Sequence, residues 1–287
     1  MTTITKHFFT KVQVWREEGV GVIAINNPPL NTIDADVLDQ LTAAATLAES
    51  DPHIEVIALT ATGDTFFSSG VKWEMGSALD TLQAKAQVYT SIATSISKPV
   101  VAVLNAPALG AGLEISLLAD FRLGTTTSYM GFPEACYGFP HLFAGPYVAK
   151  EVFGASIARR LFTLGDTLPP EDAYRLGLID MLFERQNFLG EAKKWLGKLG
   201  GRGGTLLHIR SVSYDPLKLR YTFEVEKTAV RALISGGGSG ADGDGLRRKR
   251  EEVATLSPTL HMRLEAMKNA LKSGGMGDED TEKTGGA

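Results

Sequence analysis

The 287-residue chain is 44% hydrophobic with a formal net charge of −4, enough apolar material for one large domain or two small ones. Charges of both signs are interspersed, which leaves no basic footprint for nucleic acid, and no apolar run approaches the roughly 20 residues of a membrane-spanning helix. A single cysteine, Cys136, excludes an internal disulfide framework and fits a reducing compartment.

The opening "MTTITKHFF" lacks the apolar core of a secretory signal, and the closing "TGGA" matches no receptor-read address. The expected compartment is the cytoplasm, with the peroxisome and the mitochondrial matrix left open. "KVQVWREEGVGVIAINNPP" alternates apolar and polar residues around Glu18 and Gly19, the pattern of a hairpin or of two adjacent strands. "NNPPLN" ends it as a turn, because Pro28 and Pro29 cannot continue a ladder. Val37, Leu38, Leu41, Ala45 and Ala48 then recur at helical spacing, with Asp34 as the N-cap. "HIEVIALTATG" reads as a buried strand, "GSALDTLQAKAQVYTSIATSI" as a second amphipathic helix, and "KPVVAVLN" as a strand entered through Pro99. Alternating strands and helices indicate an α/β core.

After residue 200 the character changes. "GGRGGT" and the stretch Ser235 to Gly245 read as flexible and linker-like, with a helix expected over Val225 to Ile234. Beyond Leu246 one or two helices break near Pro258, and the polar, glycine-rich end is expected to be disordered. Arg247 to Arg250 is read as a solvated charged face. This divides the chain into a core over 1–200, a helical region over 201–272 with a glycine-rich insertion at 235–245, and a disordered tail over 273–287.

Several chemistries are missing. His7, His53, His141, His208 and His261 form no H-E-x-x-H or paired zinc spacing. There is neither a G-x-S-x-G elbow nor a Walker A loop, and "GAGLEI" has Ile115 where a dinucleotide fingerprint needs a third small residue. Cys136 is read as an inert buried thiol.

What remains is a pair of turns and two glutamates. In "TGDTFFSSGVKWEM", Gly70 lets the chain bend sharply and leaves amide N–H groups near Val71 without ladder partners. In "NAPALGAGLEISLLADFR", Gly110 to Gly112 open a helix whose first N–H groups have no internal acceptor. Two such amides converging on one point form an oxyanion hole. Glu114 is a lone carboxylate in this apolar run, costly to bury unpaired, so it either touches water or sits in a pocket for chemistry. Twenty residues on, "YMGFPEACYGFP" presents Glu134 after a strand and a proline. Taken singly, Glu114 is also explained as a carboxylate favoured at a helix start, and Glu134 as a surface loop residue.

Between about Val12 and Asp180 these residues resemble the crotonase, or enoyl-CoA hydratase/isomerase, superfamily. The resemblance rests on "NNPPLN", "TFFSSGVKW", "KPVVAVLNAPALGAGLEISLLADFR", "FPEACYG" and "DTLPPEDAYRLGLID", each weak alone but in the family's order and spacing. It implies a crotonase-like spiral of ββα repeats with a C-terminal helical region that assembles homotrimers or homohexamers. It implies an acyl-CoA thioester as substrate and no cofactor, coenzyme A being part of that substrate. The oxyanion donors align with the backbone N–H groups of Val71 and Ala111, and the two catalytic glutamates of hydratases with Glu114 and Glu134. Ser69, Gly70, Lys72, Gly110, Gly112, Phe139, His141 and Phe143 would line the substrate.

Departures from the family pattern are concentrated in two places. Val71 replaces a smaller residue and Lys72 a common aspartate, which suggests altered pairing or a contact to a CoA phosphate. "FPHLFAGPY" replaces a glycine-rich stretch, so Phe139, His141 and Phe143 would reshape the acyl pocket, with His141 also a candidate acid/base group. The expected activity is hydration of a 2-enoyl-CoA. The alternatives are a Δ3,Δ2-enoyl-CoA isomerase using Glu134 alone, another thioester chemistry, or a CoA-ester-binding subunit without turnover.

Overall fold

The computed structural model describes residues 6–71, 95–137, 141, 145–213 and 215–235, with part of a helical stretch between 80 and 92. Strands β1 (Lys6–Phe8), β2 (Val12–Glu17) and β3 (Val20–Ile25) form an antiparallel meander. The β2–β3 turn falls on Glu18 and Gly19, both at positive φ (45° and 82°), as a tight two-residue hairpin requires. From β3 onward the sheet is parallel through β4 (Val56–Ala61), β5 (Val100–Leu104), β7 (Phe121–Thr125) and β10 (Met181–Phe183). The strand order is β1-β2-β3-β4-β5-β7-β10. A small second sheet joins β6 (Ala108–Leu109), β8 (Met130–Gly131) and β9 (Thr167–Leu168).

The central strands read as continuous apolar runs because both faces are covered. Ile57, Leu59, Val100, Ala102 and Leu104 face the main core, while Val56, Ala58, Val101 and Val103 face a second one. Helix α1 (Ala35–Ser50) packs Val37, Leu38, Leu41, Ala44, Ala45 and Ala48 on the main core. The Val37 N–H donates to the Asp34 carboxylate at 3.0 Å, the expected N-cap. At its other end Lys98 Nζ donates to the carbonyls of Ala48, Glu49 and Asp51, satisfying acceptors the helix leaves open. The second expected helix is helical at the residues described between 80 and 92.

The stretch after residue 200 corrects the linker reading of "GGRGGT". Helices α5 (Pro170–Arg175) and α6 (Phe188–Leu196) follow β9 and β10; Gly203 then begins α7 (Gly203–Ser213), and a Cβ there would sit 2.7 Å from the Ser97 carbonyl oxygen. Its glycine serves close packing rather than flexibility. Arg210 on α7 donates to the Asp120 carboxylate and to the Ile96 and Lys98 carbonyls. Helix α8 runs over Pro216–Ser235, longer than expected, and places Leu219 and Phe223 in the main core. Residues 236–287, with their insertion, basic run and tail, lie outside the described residues.

Candidate active site

The site is built where two chain crossings leave the parallel sheet side by side. After β4 the chain turns through residues 62–71, and after β5 through Asn105 to Gly110. Asn105 staples the two exits: its amide donates to the Ala61 and Gly63 carbonyls at 3.1 and 2.7 Å. The turns are then laced by backbone bonds, Phe67 N–H to Pro107 O and Leu109 N–H to Ser68 O, both at 2.9 Å. Asn31, at φ 48°, clamps the preceding turn to the same place by donating to the Thr62 and Phe66 carbonyls. Ser69 N–H donates to Leu30 O, and Ile33 bridges in parallel to Val71.

Glycines set the closeness of this approach. Gly70 has φ 101°, and a Cβ there would lie 3.3 Å from Leu109 O and 3.8 Å from Ala111 N, so the Gly70–Val71 segment borders the Ala111 amide. Gly112 faces Ser68, whose Oγ would stand 2.8 Å from an added Cβ. Gly110, at φ 51° and ψ −127°, precedes the short helix α2 (Ala111–Ser116). That conformation is closed to residues with a Cβ. The first N–H groups of α2 point out of the helix start without an intrahelical acceptor, while Glu114 N–H closes the first turn onto Gly110 O.

Glu134 reaches this helix start, and Glu114 belongs to the helix itself. Glu114 lies inside α2 and is 2% exposed. A Cβ on Gly145, the first residue of α3 (Gly145–Phe153), would stand 2.6 Å from its carboxyl carbon. Glu134 lies in a 3-10 turn over Pro133–Tyr137 that follows β8. Its carboxyl carbon would be 3.0 Å from a Cβ on Gly110, with Oε1 closer still. Glycine at 110 and 145 therefore makes the room in which the two carboxylates sit.

His141 is drawn into the same cluster. Its Nδ1 is 3.7 Å from Glu134 Oε2, and its Nε2 is 2.7 Å from the carbonyl oxygen of Phe162 on α4 (Ala155–Leu164). The ring meets the Phe162 ring edge-on at 4.6 Å, and Phe162 stacks on Phe132 at 4.0 Å. Burial lowers the imidazole pKa below its ordinary value, opposed by the Phe162 carbonyl. Cys136 is half-buried with its thiol 3.5 Å from Leu164 O, and burial, then Asp166 and Glu134, raise its pKa. It is held as a thiol.

Of the residues expected from sequence, Ser69, Gly70, Val71, Gly110, Ala111, Gly112, Glu114, Glu134 and His141 meet in one region of the fold. Lys72, Phe139 and Phe143 lie outside the described residues. Sequence reasoning missed Gly145, Asn31 and Asn105. The asparagines carried a signal, since each follows a turn or a strand end where a side-chain amide can replace backbone partners. Gly145 carried none until Glu114 was found beside it.

Known proteins agree with this architecture. A sequence profile of the enoyl-CoA hydratase/isomerase family matches residues 15–212. A crotonyl-CoA hydratase of Syntrophomonas wolfei is 28% identical over 194 residues, covering 66% of this chain and 75% of that protein. A short-chain-enoyl-CoA hydratase of Clostridium acetobutylicum is 26% identical over 191 residues, covering 64% and 73%. The crystal structure of an enoyl-CoA hydratase from Mycobacterium avium subsp. paratuberculosis superposes with a TM-score of 0.73 at 22% identity, over 84% of this chain and 99% of that one. With the profile spanning more than half of its length, the chain is an enzyme of the enoyl-CoA hydratase/isomerase family, with the crotonase fold.

Proposed function

We propose that the protein hydrates a 2-enoyl-CoA, with Glu114 and Glu134 as its acid/base pair and the Val71 and Ala111 N–H groups as its oxyanion donors. The observation that carries this reading is the seating of Glu134 on Gly110, at the start of α2, and of Glu114, a residue of that same helix, on Gly145. One carboxylate takes a proton from water as its oxygen bonds C3, and the other, protonated, gives its proton to C2. The thioester oxygen holds the intervening enolate charge, which fixed amides stabilise without reorganising. Two carboxyls near one water do not both ionise cheaply, so one proton is shared between them before substrate arrives. After turnover the proton passes back between them through solvent. The substrate class is an acyl-CoA thioester, Ser69 and the glycines at 70, 110 and 112 line it, and coenzyme A enters only as part of it. Assembly into trimers or dimers of trimers belongs to the same reading and is measured by light scattering.

The test is incubation with saturated, 2-enoyl and 3-enoyl CoA thioesters, the products identified by mass spectrometry and NMR. The 2-enoyl thioester should yield the 3-hydroxyacyl thioester. Glu114→Gln and Glu134→Gln should each reduce kcat about 10²–10⁴-fold. Activity surviving both substitutions would sink the assignment. Conversion of the 3-enoyl substrate alone, lost in Glu134→Gln and kept in Glu114→Gln, would make the enzyme an isomerase.

A further inference from the structure

His141 has one ring nitrogen committed and one not. Nε2 stands 2.7 Å from the Phe162 carbonyl, which can only accept, so Nε2 carries a proton. A neutral imidazole has one N–H, and burial favours the neutral form of this ring. Nδ1 then presents a lone pair, and this buried atom has no hydrogen-bond partner among the described residues. Facing it at 3.7 Å is Glu134 Oε2. An ionised Glu134 would set oxygen lone pairs against a nitrogen lone pair, whereas a protonated Glu134 would find an acceptor. The separation is long for a hydrogen bond, and contacts of this kind tighten when substrate closes a site.

We propose that His141 is a positioning residue that keeps the shared proton on Glu134, through a fixed tautomer whose Nδ1 accepts from Glu134 Oε2. The proposal rests on the reading of Glu134 as an acid/base group. The surroundings of Glu114 favour the complementary state, since its carboxyl lies against the first residue of α3, where a helix dipole favours an anion. Two carboxyls are thus given unlike environments, one beside a helix start and one beside an imidazole acceptor. Among the described residues, the other titratable groups on these elements are Cys136, on the turn that carries Glu134, Asp166, whose charge acts on Cys136, and the exposed Arg159 and Arg160 on α4. The Cys136 thiol is turned to the Leu164 and Gly165 carbonyls.

The experiment is NMR on the full-length protein without substrate. Histidine ¹⁵N shifts of the wild type should show His141 protonated at Nε2 and bare at Nδ1 near neutral pH. The Glu134 carboxyl ¹³C resonance, identified by its loss in Glu134→Gln, should titrate about one pH unit lower in His141→Leu than in wild type. His141→Asn, which returns an acceptor oxygen near Nδ1, should restore most of that shift. The alkaline limb of kcat/KM should move in step, down in His141→Leu and back in His141→Asn. A His141 protonated at Nδ1, or a Glu134 titration equal in wild type and His141→Leu, overturns the proposal. The wild-type tautomer needs no variant, so a His141→Leu protein that fails to fold still leaves a decisive measurement. The shift in a protein that hydrates no enoyl-CoA would uphold the coupling and remove only the hydratase reading.

Discussion

Asp120 and Glu114 stand six residues apart and are both nearly inaccessible, yet their surroundings differ in kind. Asp120 accepts from Arg210 Nε at 2.7 Å, from a second Arg210 nitrogen, and from Val100 N–H at 2.7 Å. Asp180 repeats the pattern with the Arg122 backbone N–H at 2.7 Å and its guanidinium at 3.2 Å. Glu114 lies against Gly145, and Glu134 against Gly110 and the His141 imidazole. A carboxylate bonded to a guanidinium has its oxygens committed to that partner. A carboxylate seated on a glycine occupies the room that a Cβ would take. The fold uses the first arrangement to tie elements together, and the proposed acid/base pair belongs to the second.

The contrast is most sharply broken at Arg210. Its side chain is 6% exposed, so Arg210→Met leaves the Asp120 charge buried without its cation. Stability should fall by about 3–5 kcal/mol in urea denaturation, with activity near wild type where the protein remains folded. A loss below about 1 kcal/mol would show that the pair does not anchor α7. Gly145→Ala should do the reverse. Its Cβ displaces the Glu114 carboxyl, and a misplacement of that size costs about 10²-fold in kcat/KM with little change in melting temperature. Full activity in Gly145→Ala would detach Glu114 from the reaction. Arg122→Met comes next, because Asp180 is 32% exposed and partly rehydrates. The expected loss is about 1.5–3 kcal/mol, smaller than at Arg210, and a larger loss would reverse the ranking by burial.

How much of this was legible follows from the range of each interaction. The hairpin at Glu18 and Gly19, the Asp34 cap, the helix opened by Gly110 and the lone carboxylate at 114 are local patterns, and a short window of sequence carries each one. Asp120 and Arg122 were visible in "ADFR", but nothing nearby says that Arg210, ninety residues on, completes Asp120. Gly203 resembled a linker glycine because its reason is the Ser97 carbonyl across the fold. Helix α8 was read too short, although Asp215 accepts from the Leu217 and Lys218 N–H groups ahead of its first turn. Aspartate followed by proline is a helix-start signal that the expected helix over Val225 to Ile234 leaves unused. His141 reads from sequence as pocket lining and a candidate acid/base group, and only the Phe162 carbonyl and Glu134, distant in sequence, carry the argument for an acceptor.

The smallest effect is thermodynamic and separates the two kinds of site by pH. A lowered imidazole pKa in the folded state means that, just below the ordinary value of 6.5, the unfolded chain binds more protons than the folded one at this residue. Stability therefore rises with pH through that window, is fully present above 6.5, and is lost as pH falls through the folded value. Replacing His141 with phenylalanine removes the titration and keeps a ring against Phe162. The melting temperature of His141→Phe should then fall less steeply than that of wild type on acidification below pH 6.5. Parallel curves would mean that the ring is free to take up a proton in the folded state, either in water or from Glu134. Burial alone would then no longer explain a neutral His141, and the ion pair with Glu134 would replace the acceptor geometry as the resting state of the site.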